Sequence, residues 1–238
     1  MIAQSTIKDR YSHAYLWMPP VAHGASGSIT VLRSDGGEVT AINDYGKVLG
    51  MTSQGASNYL WTPSSSNGTN GEMHELSPFS GDNSVTFLDL SAGGLAYGNS
   101  FSYGLFGLGF SFARHAVVWL PAGEHKADGR VAPLGAVGSD EDSTASDMNA
   151  AGQVVGSSCT LAQGRQPHTC DTQAHAFIWD SAHGLHGLHG LHDLQGMLDD
   201  QSQFRLEDTE LISDRGQIVA VGEDTSQDPH LLLLTPHR

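Results

Sequence analysis

The sequence predicts an all-β fold, a small β-propeller of four-stranded blades, on three observations. Short phrases recur in a fixed order at a long period, as repeat architectures do. The recurring phrases have strand length and strand composition. Their junctions carry the residues of tight turns. No segment of helical length holds a sustained 3.6-residue apolar period.

The clearest phrase holds all four tryptophans. It reads HAYLWMP at 13–19, SNYLWTP at 57–63, HAVVWLP at 115–121, HAFIWDS at 175–181 and HLLLLTP at 230–236. Trp17, Trp61, Trp119 and Trp179 stand at one place in it, and Leu234 takes that place in the last copy. Their spacings are 44, 58, 60 and 55 residues. A second phrase ends in leucine, at 29–32, 73–76, 131–134 and 191–194. A third, at 39–43, 86–91, 144–149 and 208–213, leads into a fourth, the INDYGKVLG type at 42–50, with copies at 90–98, 148–156 and 212–222. Between the third and the fourth lies the turn. Asn43, Ser91, Asn149 or Ser213 caps it through the side chain, and Gly46, Gly94, Gly152 or Gly216 supplies positive φ at its fourth place.

The second glycine of the phrase, Gly50, Gly98 or Gly156, removes a side chain from the outgoing strand. Such a glycine marks a close approach, and the tryptophan of the next phrase is the expected neighbour. In the last copy two extra residues precede Gly222, which unsettles the regularity there.

The chain reads as one repeat domain over residues 1–238, with repeats near 13–52, 57–100, 114–158 and 174–223 and a closing strand at 229–236. Five segments are of the tryptophan type and four of each other type, one more than a four-bladed ring holds. Five blades are favoured over four, with incomplete blades unless residues 2–8 add a strand. An open solenoid fits less well, because the repeats differ too much in length to stack evenly.

These phrases resemble the HAF-repeat family, bacterial proteins described as probable extracellular repeats. The resemblance lies in Met148–Gly156 and His175–Trp179, more loosely in the other copies, and in the C-terminal stretch from LHDLQGMLDD onward. Ser57-Asn58 departs from it, standing where the other copies have His-Ala. The resemblance implies secretion or an envelope location and supplies no catalytic residue.

Composition narrows the function classes. The formal net charge of −15 repels phosphate backbones and anionic membranes, so nucleic acid is excluded as an expected partner. No apolar run has the length of a membrane span. The N-terminal stretch lacks the basic and apolar regions of a signal peptide, and it opens inside a repeat, which suggests an N-terminal truncation. Cys159 and Cys170 flank one inter-strand loop with no other cysteine in the chain. A bridge between them is favoured over free thiols, and with it an oxidising compartment.

Four features could carry chemistry. His13, His115 and His175 recur in register; ordering of their own strands is the favoured reading over a shared metal. His183, His186, His189 and His192 lie three apart in a His-Gly-Leu tract, where weak adventitious metal binding is favoured over a specific site. Glu38, Asp82, Asp140, Glu141, Asp142, Glu207 and Asp208 precede inbound strands; they underlie the alternative of a carbohydrate hydrolase with axial carboxylates. The acidic run at 139–147 also suits calcium by its oxygen ligands, though it lacks the EF-hand pattern. The stretch 101–115 crowds Tyr103, Leu105, Phe106, Leu108 and Phe110 into an insertion, an apolar patch that would suit a partner. The resulting expectation is a non-enzymatic binding or scaffold module that recognises a protein or a glycan through inter-strand loops. A periplasmic inhibitor or immunity protein is one version of it. No cofactor and no metal is expected.

Overall fold

The computed structural model describes residues 2–6, 12–21, 24–34, 36–52, 57–106, 109–123, 125–162, 170, 173–180, 190–198 and 203–236. Side chains are described at these positions except 2–6, 12, 105, 106 and 109–111. The described residues form an all-β structure of five sheets, each built from strands consecutive in the chain.

Sheet one holds β1 (Ile2–Thr6), β2 (Ser12–Met18) and β3 (Ser28–Arg33). Sheet two holds β4 (Gly37–Ile42), β5 (Val48–Thr52), β6 (Asn58–Pro63) and β7 (Gly71–Leu76). Sheet three holds β8 (Ser84–Leu90), β9 (Ala96–Phe106), β10 (Gly109–Pro121) and β11 (Gly129–Pro133). Sheet four holds β12 (Asp142–Met148), β13 (Gln153–Cys159), β14 (His175–Asp180) and β15 (Gly190–Asp193). Sheet five holds β16 (Arg205–Ile212), β17 (Ile218–Glu223) and β18 (Pro229–Leu234). β1 is thus a strand supplied by the first residues, and it pairs antiparallel with the tryptophan strand β2.

The turn between first and second strands is built alike in four sheets. The capping side chain accepts the backbone N–H four residues on: Lys47 to Asn43 at 2.9 Å, Leu95 to Ser91 at 3.0 Å, Gln153 to Asn149 at 3.0 Å, Gln217 to Ser213 at 3.1 Å. The glycine at the fourth place has φ of 92°, 89°, 82° and 76° in turn, a region costly for any residue with a Cβ. A one-residue bulge follows on the first strand at Thr40, Ser146 and Glu210, always beside the same cross-strand pair. Bulges of this kind bend the strand and raise its twist.

That cross-strand pair is Val39 with Gly50, Ala145 with Gly156 and Thr209 with Ala220. Ala220, and not Gly222, therefore holds the glycine place in sheet five. The neighbour that crowds the glycine is also not the tryptophan. A Cβ on Gly50 would lie 2.5 Å from the Tyr59 ring, and one on Gly156 would lie 2.7 Å from the Phe177 ring, each also striking a backbone carbonyl across the ladder. Tyr59 and Phe177 stand two residues before the tryptophan, directly opposite the glycine. The tryptophans cover a different glycine, at the start of the fourth strand. Cβ atoms on Gly71, Gly129 and Gly190 would lie 2.7 Å from Trp61, Trp119 and Trp179, and one on Gly27 would lie 2.9 Å from Trp17. The physical reason is the antiparallel register: the tryptophan turns toward the strand that leaves it, not the one that enters.

Contacts divide the chain into two compact units. One comprises Met1–Ser77, Thr86–Ala96 and Trp119–Arg130, the other Pro78–Val85, Tyr97–Val118 and Val131–Arg238. In the first, Leu16 of sheet one packs on Val48 and Trp61 of sheet two, with Met18, Leu32 and Val39 around them. In the second, Val155, Ala176 and Leu194 of sheet four pack on Leu206, Ile212, Ile218 and Ala220 of sheet five. Val48 and Ile218 hold the same place in their repeats, so both units use one face-to-face packing scheme.

Polar bonds between sheets recur at equivalent places too. Within the first unit, Asn58 accepts the Phe87 N–H at 3.1 Å, and Asn43 donates to the Ser91 carbonyl at 2.9 Å. Within the second, Asn99 both accepts from the Ala145 N–H at 2.8 Å and donates to the Ala145 carbonyl at 3.0 Å. Thr209 donates to the Gly156 carbonyl at 3.0 Å, and Asn149 to the Ser213 carbonyl at 3.3 Å. Phe87, Ala145 and Thr209 are one repeat position, and the turn Asn both caps its own turn and ties it to the next. The departure at Asn58 supplies such a tie.

Candidate functional site

Two of the three recurring histidines, His115 and His175, reach for carboxylates. His115 Nδ1 lies 3.0 Å from Asp82, and His175 Nδ1 lies 2.8 Å from Asp140. Both aspartates are almost fully buried and sit in the loop that enters the histidine's own sheet. Asp140 also accepts from Ser158 at 2.7 Å, whose hydroxyl receives the Val137 N–H at 3.0 Å. In sheet three Ser100 receives the Phe79 N–H in the same way at 3.1 Å. Each histidine thus fastens the entry loop to its third strand. His13, in sheet one, is buried and stacks on Tyr15 with ring centroids 6.1 Å apart.

The acidic candidates are largely engaged by protein donors. Asp142 accepts the N–H groups of Arg114 at 2.9 Å and Leu161 at 3.0 Å, and Asp208 accepts that of Thr209 at 2.8 Å. Glu207 and Glu223 both pair with Arg205, at 2.6 and 2.5 Å. No group of three or more His, Cys, Asp and Glu side chains among the described residues could hold a metal ion. His183, His186 and His189 lie outside the described residues, while His192 is half-buried in β15.

Cys159 and Cys170 form a disulfide, with Cα atoms 5.7 Å apart, at the base of the β13–β14 loop. Closing so short a loop contributes about 2–3 kcal/mol in the chain-entropy account. No helix among the described residues is long and apolar enough to cross a membrane.

Two surfaces among the described residues stand apart from these structural tasks. The first is the β9–β10 hairpin, whose strands are the longest among the described residues. Phe101 and Phe112 meet across it with centroids 6.1 Å apart, and Asn83 accepts the Tyr103 N–H at 2.7 Å. Tyr103 itself is 50% exposed. Leu105, Phe106 and Phe110 lie in the hairpin strands without described side chains, and Leu108 lies outside the described residues.

The second is a cavity of about 810 Å³ between sheets four and five. Its apolar lining includes Ile178, Leu194, Met197, Leu198, Ile218 and Leu234, and Gln153, Asp214, Arg215 and Thr235 are its polar points. This is the size and chemistry of a ligand-binding hollow. Leu234 lines it at the place where the earlier sheets carry tryptophan. A smaller hollow of about 510 Å³ lies nearby, lined by Phe204, Arg205, Glu223 and Asp224 among others. Its carboxylates are committed: Asp224 bonds His230 at 3.0 Å and the N–H groups of Ser226 and Asp228. The His230 bond foremost, then those two N–H groups, hold its carboxyl below the usual range, so it stays ionised.

Sequence reasoning named the hairpin but passed over the cavity and also Lys47. That lysine is fully buried and donates to the Lys126 carbonyl at 2.7 Å. The partnership of histidine with the entry loop did leave a trace, since Asp82 and Asp140 precede their histidines by 33 and 35 residues. Comparison with protein-family models, with curated proteins and with solved structures finds no match to this chain.

Proposed function

We propose that this chain is a non-enzymatic binding module of the secreted or envelope fraction, that its five sheets are blades of one small propeller, and that it recognises a protein through inter-strand loops. The observation that carries the reading is the allocation of side chains. The repeated Asn, His and Asp residues are absorbed in bonds that join strands and sheets, while an aromatic hairpin and an apolar cavity stay open. The repeated packing scheme within each unit supports the propeller, and ring closure would cover the exposed Leu211, Leu231 and Leu233 of sheet five. The disulfide fits an oxidising compartment. Hydrolase chemistry has less support, because the carboxylates of the smaller hollow are already engaged, Asp224 by His230 and two backbone N–H groups and Glu223 by Arg205.

The test is a capture experiment with the full chain and with a variant whose hairpin is shortened by replacing residues 103–112 with Asn-Gly. A protein retained by the first and lost by the second is expected. Equal capture by both, or release of reducing sugar that Glu223→Gln abolishes, would overturn the reading.

A further inference from the structure

We infer that the outer edge of β18, with the cavity beside it, seats an extended strand from a partner protein; the inference rests on the binding reading above and names the form of the partner. Sheets two, three and four each finish with a fourth strand that begins at a glycine and runs into a buried leucine: Gly71 to Leu76, Gly129 to Leu134, Gly190 to Leu194. The closing leucine is held by backbone. Leu134 donates to the Ala116 carbonyl at 2.8 Å, and Leu194 to the Ala176 carbonyl at 3.0 Å. In sheet five Leu231 takes the place of Ala116 and Ala176. Among the described residues no strand pairs with that edge.

The cavity is the other half of the same footprint. At the junction of sheets two and three, the loop leading into β11 folds back over the junction. It brings the Lys126 carbonyl onto Lys47 and His125 onto the Tyr45 ring, 3.7 Å away and nearly parallel. Trp119 is buried and lies over Gly129 and beside His74. At the junction of sheets four and five, Gln153 stands where Lys47 stood and Leu234 where Trp119 stood. Both line the open cavity of about 810 Å³. The internal repeat therefore specifies its occupant: a polar turn, a small residue, an antiparallel strand and a terminal leucine. Main-chain pairing to an open edge supplies affinity, and the pocket supplies selection, as in strand addition generally.

The probe is a fluorescent peptide with the sequence of residues 64–77, the loop and fourth strand of sheet two, titrated with the 238-residue chain by anisotropy. Saturable binding is expected, weakened about tenfold or more when the peptide carries Leu76→Asp or the protein carries Leu233→Pro on the edge. Met197→Arg, an exposed substitution at the cavity wall that leaves the edge intact, is expected to weaken it as well and guards against misfolding of the proline variant. Absence of binding, or equal binding of the Leu76→Asp peptide, overturns the inference. A dimer of the chain that Leu233→Pro dissolves, with no peptide binding, overturns it in favour of self-pairing. The capture test with the shortened hairpin is independent of these outcomes, so loss of the strand site and loss of the binding reading are told apart.

Discussion

The junction of sheets two and three and the junction of sheets four and five start from the same plan and finish differently. Both have a capped turn, a bulged first strand and an asparagine tie to the next turn. The first is sealed by a buried lysine, a stacked Tyr45–His125 pair and an indole over a glycine. The second keeps a glutamine and a leucine at those places and holds a cavity. Since the backbone plan is shared, the difference is one of side-chain volume and of the loop that reaches back. A repeat can therefore share its turns and differ in its seals.

The largest expected effect tests the shared plan itself. In sheet four a side chain at Gly156 meets both the Thr144 carbonyl and the Phe177 ring, so Gly156→Val is expected to cost about 3 kcal/mol, the upper range for overpacking. In sheet five the same place already holds Ala220, opposite Leu232. There Ala220→Gly is expected to cost only about 0.5–1 kcal/mol, from backbone entropy. Urea unfolding of both variants checks the pair. Equal effects would mean that the two sheets do not share the position.

The seals come next. Trp119 is 3% exposed and also lies against His74, with centroids 5.3 Å apart. Trp119→Leu leaves a void in a junction that cannot collapse, at an expected cost of about 2–3 kcal/mol. The converse, Leu234→Trp, covers apolar cavity wall and is expected to gain about 1 kcal/mol from the area removed from water. Shifts in the denaturation midpoint, with unchanged slope, are the measurement. A gain from Trp119→Leu or a loss from Leu234→Trp would break the comparison.

How much of this was legible follows from what each residue does locally. Turn caps and positive-φ glycines act within five residues, so Asn43 to Lys47 can be read from the chain. The pairing of an aromatic with a glycine depends on register, and register is not written in spacing. Trp61 could be matched with Gly50 or Gly71 until β6 was seen lying between β5 and β7. Gly222 looked like the displaced partner of Gly156 because glycine is conspicuous. Ala220 was the true equivalent, with Leu232 opposite it where Phe177 stands opposite Gly156. The sheet-to-sheet ties of Asn99 and Thr209 span 46 and 53 residues and leave no local mark. Lys47 was hidden for a simpler reason: a lysine after a turn ordinarily faces water, and here the loop around Lys126 and the turn at Gly94, both distant in sequence, lie against it.

That burial separates the two junctions by their response to pH. Desolvation lowers the Lys47 pKa from its usual 10.5. Between the folded value and 10.5 the unfolded chain binds more protons than the native one, so stability rises with pH across that alkaline window. Lys47→Met is expected to remove this rise. At neutral pH it exchanges a buried charge for a lost bond to the Lys126 carbonyl, a net change within about 1 kcal/mol. Gln153→Met at the other junction carries no charge and is expected to leave the pH profile unchanged. Thermal melts from pH 7 to 10 decide it, and a Lys47→Met profile parallel to that of the parent protein would show that the lysine is not the source.

The smallest effect probes the turn beside the open edge. Asp224 to Asp228 repeats the plan of Asn43 to Lys47. The Asp224 N–H donates to the Asp228 carbonyl at 3.1 Å, the Gln227 N–H donates to the Asp224 carbonyl at 2.9 Å, and the Asp224 side chain accepts the Asp228 N–H at 3.1 Å. Its fourth place, though, holds Gln227 at φ 66°, where the other turns hold glycine. Relief of the left-handed strain, about 1–2 kcal/mol, outweighs the added freedom of the unfolded chain, so Gln227→Gly is expected to stabilise by about 0.5–1 kcal/mol. Gly46→Gln in the sealed junction removes the same freedom but places a side chain against Asn67, whose Cα would lie 3.1 Å from its Cβ, and is expected to destabilise. Opposite signs at the two turns, read from midpoints in urea, would show that the turns are one device used with different tolerance. A stabilised Gly46→Gln would show that both the cost of positive φ at Gly46 and the crowding by Asn67 had been overestimated.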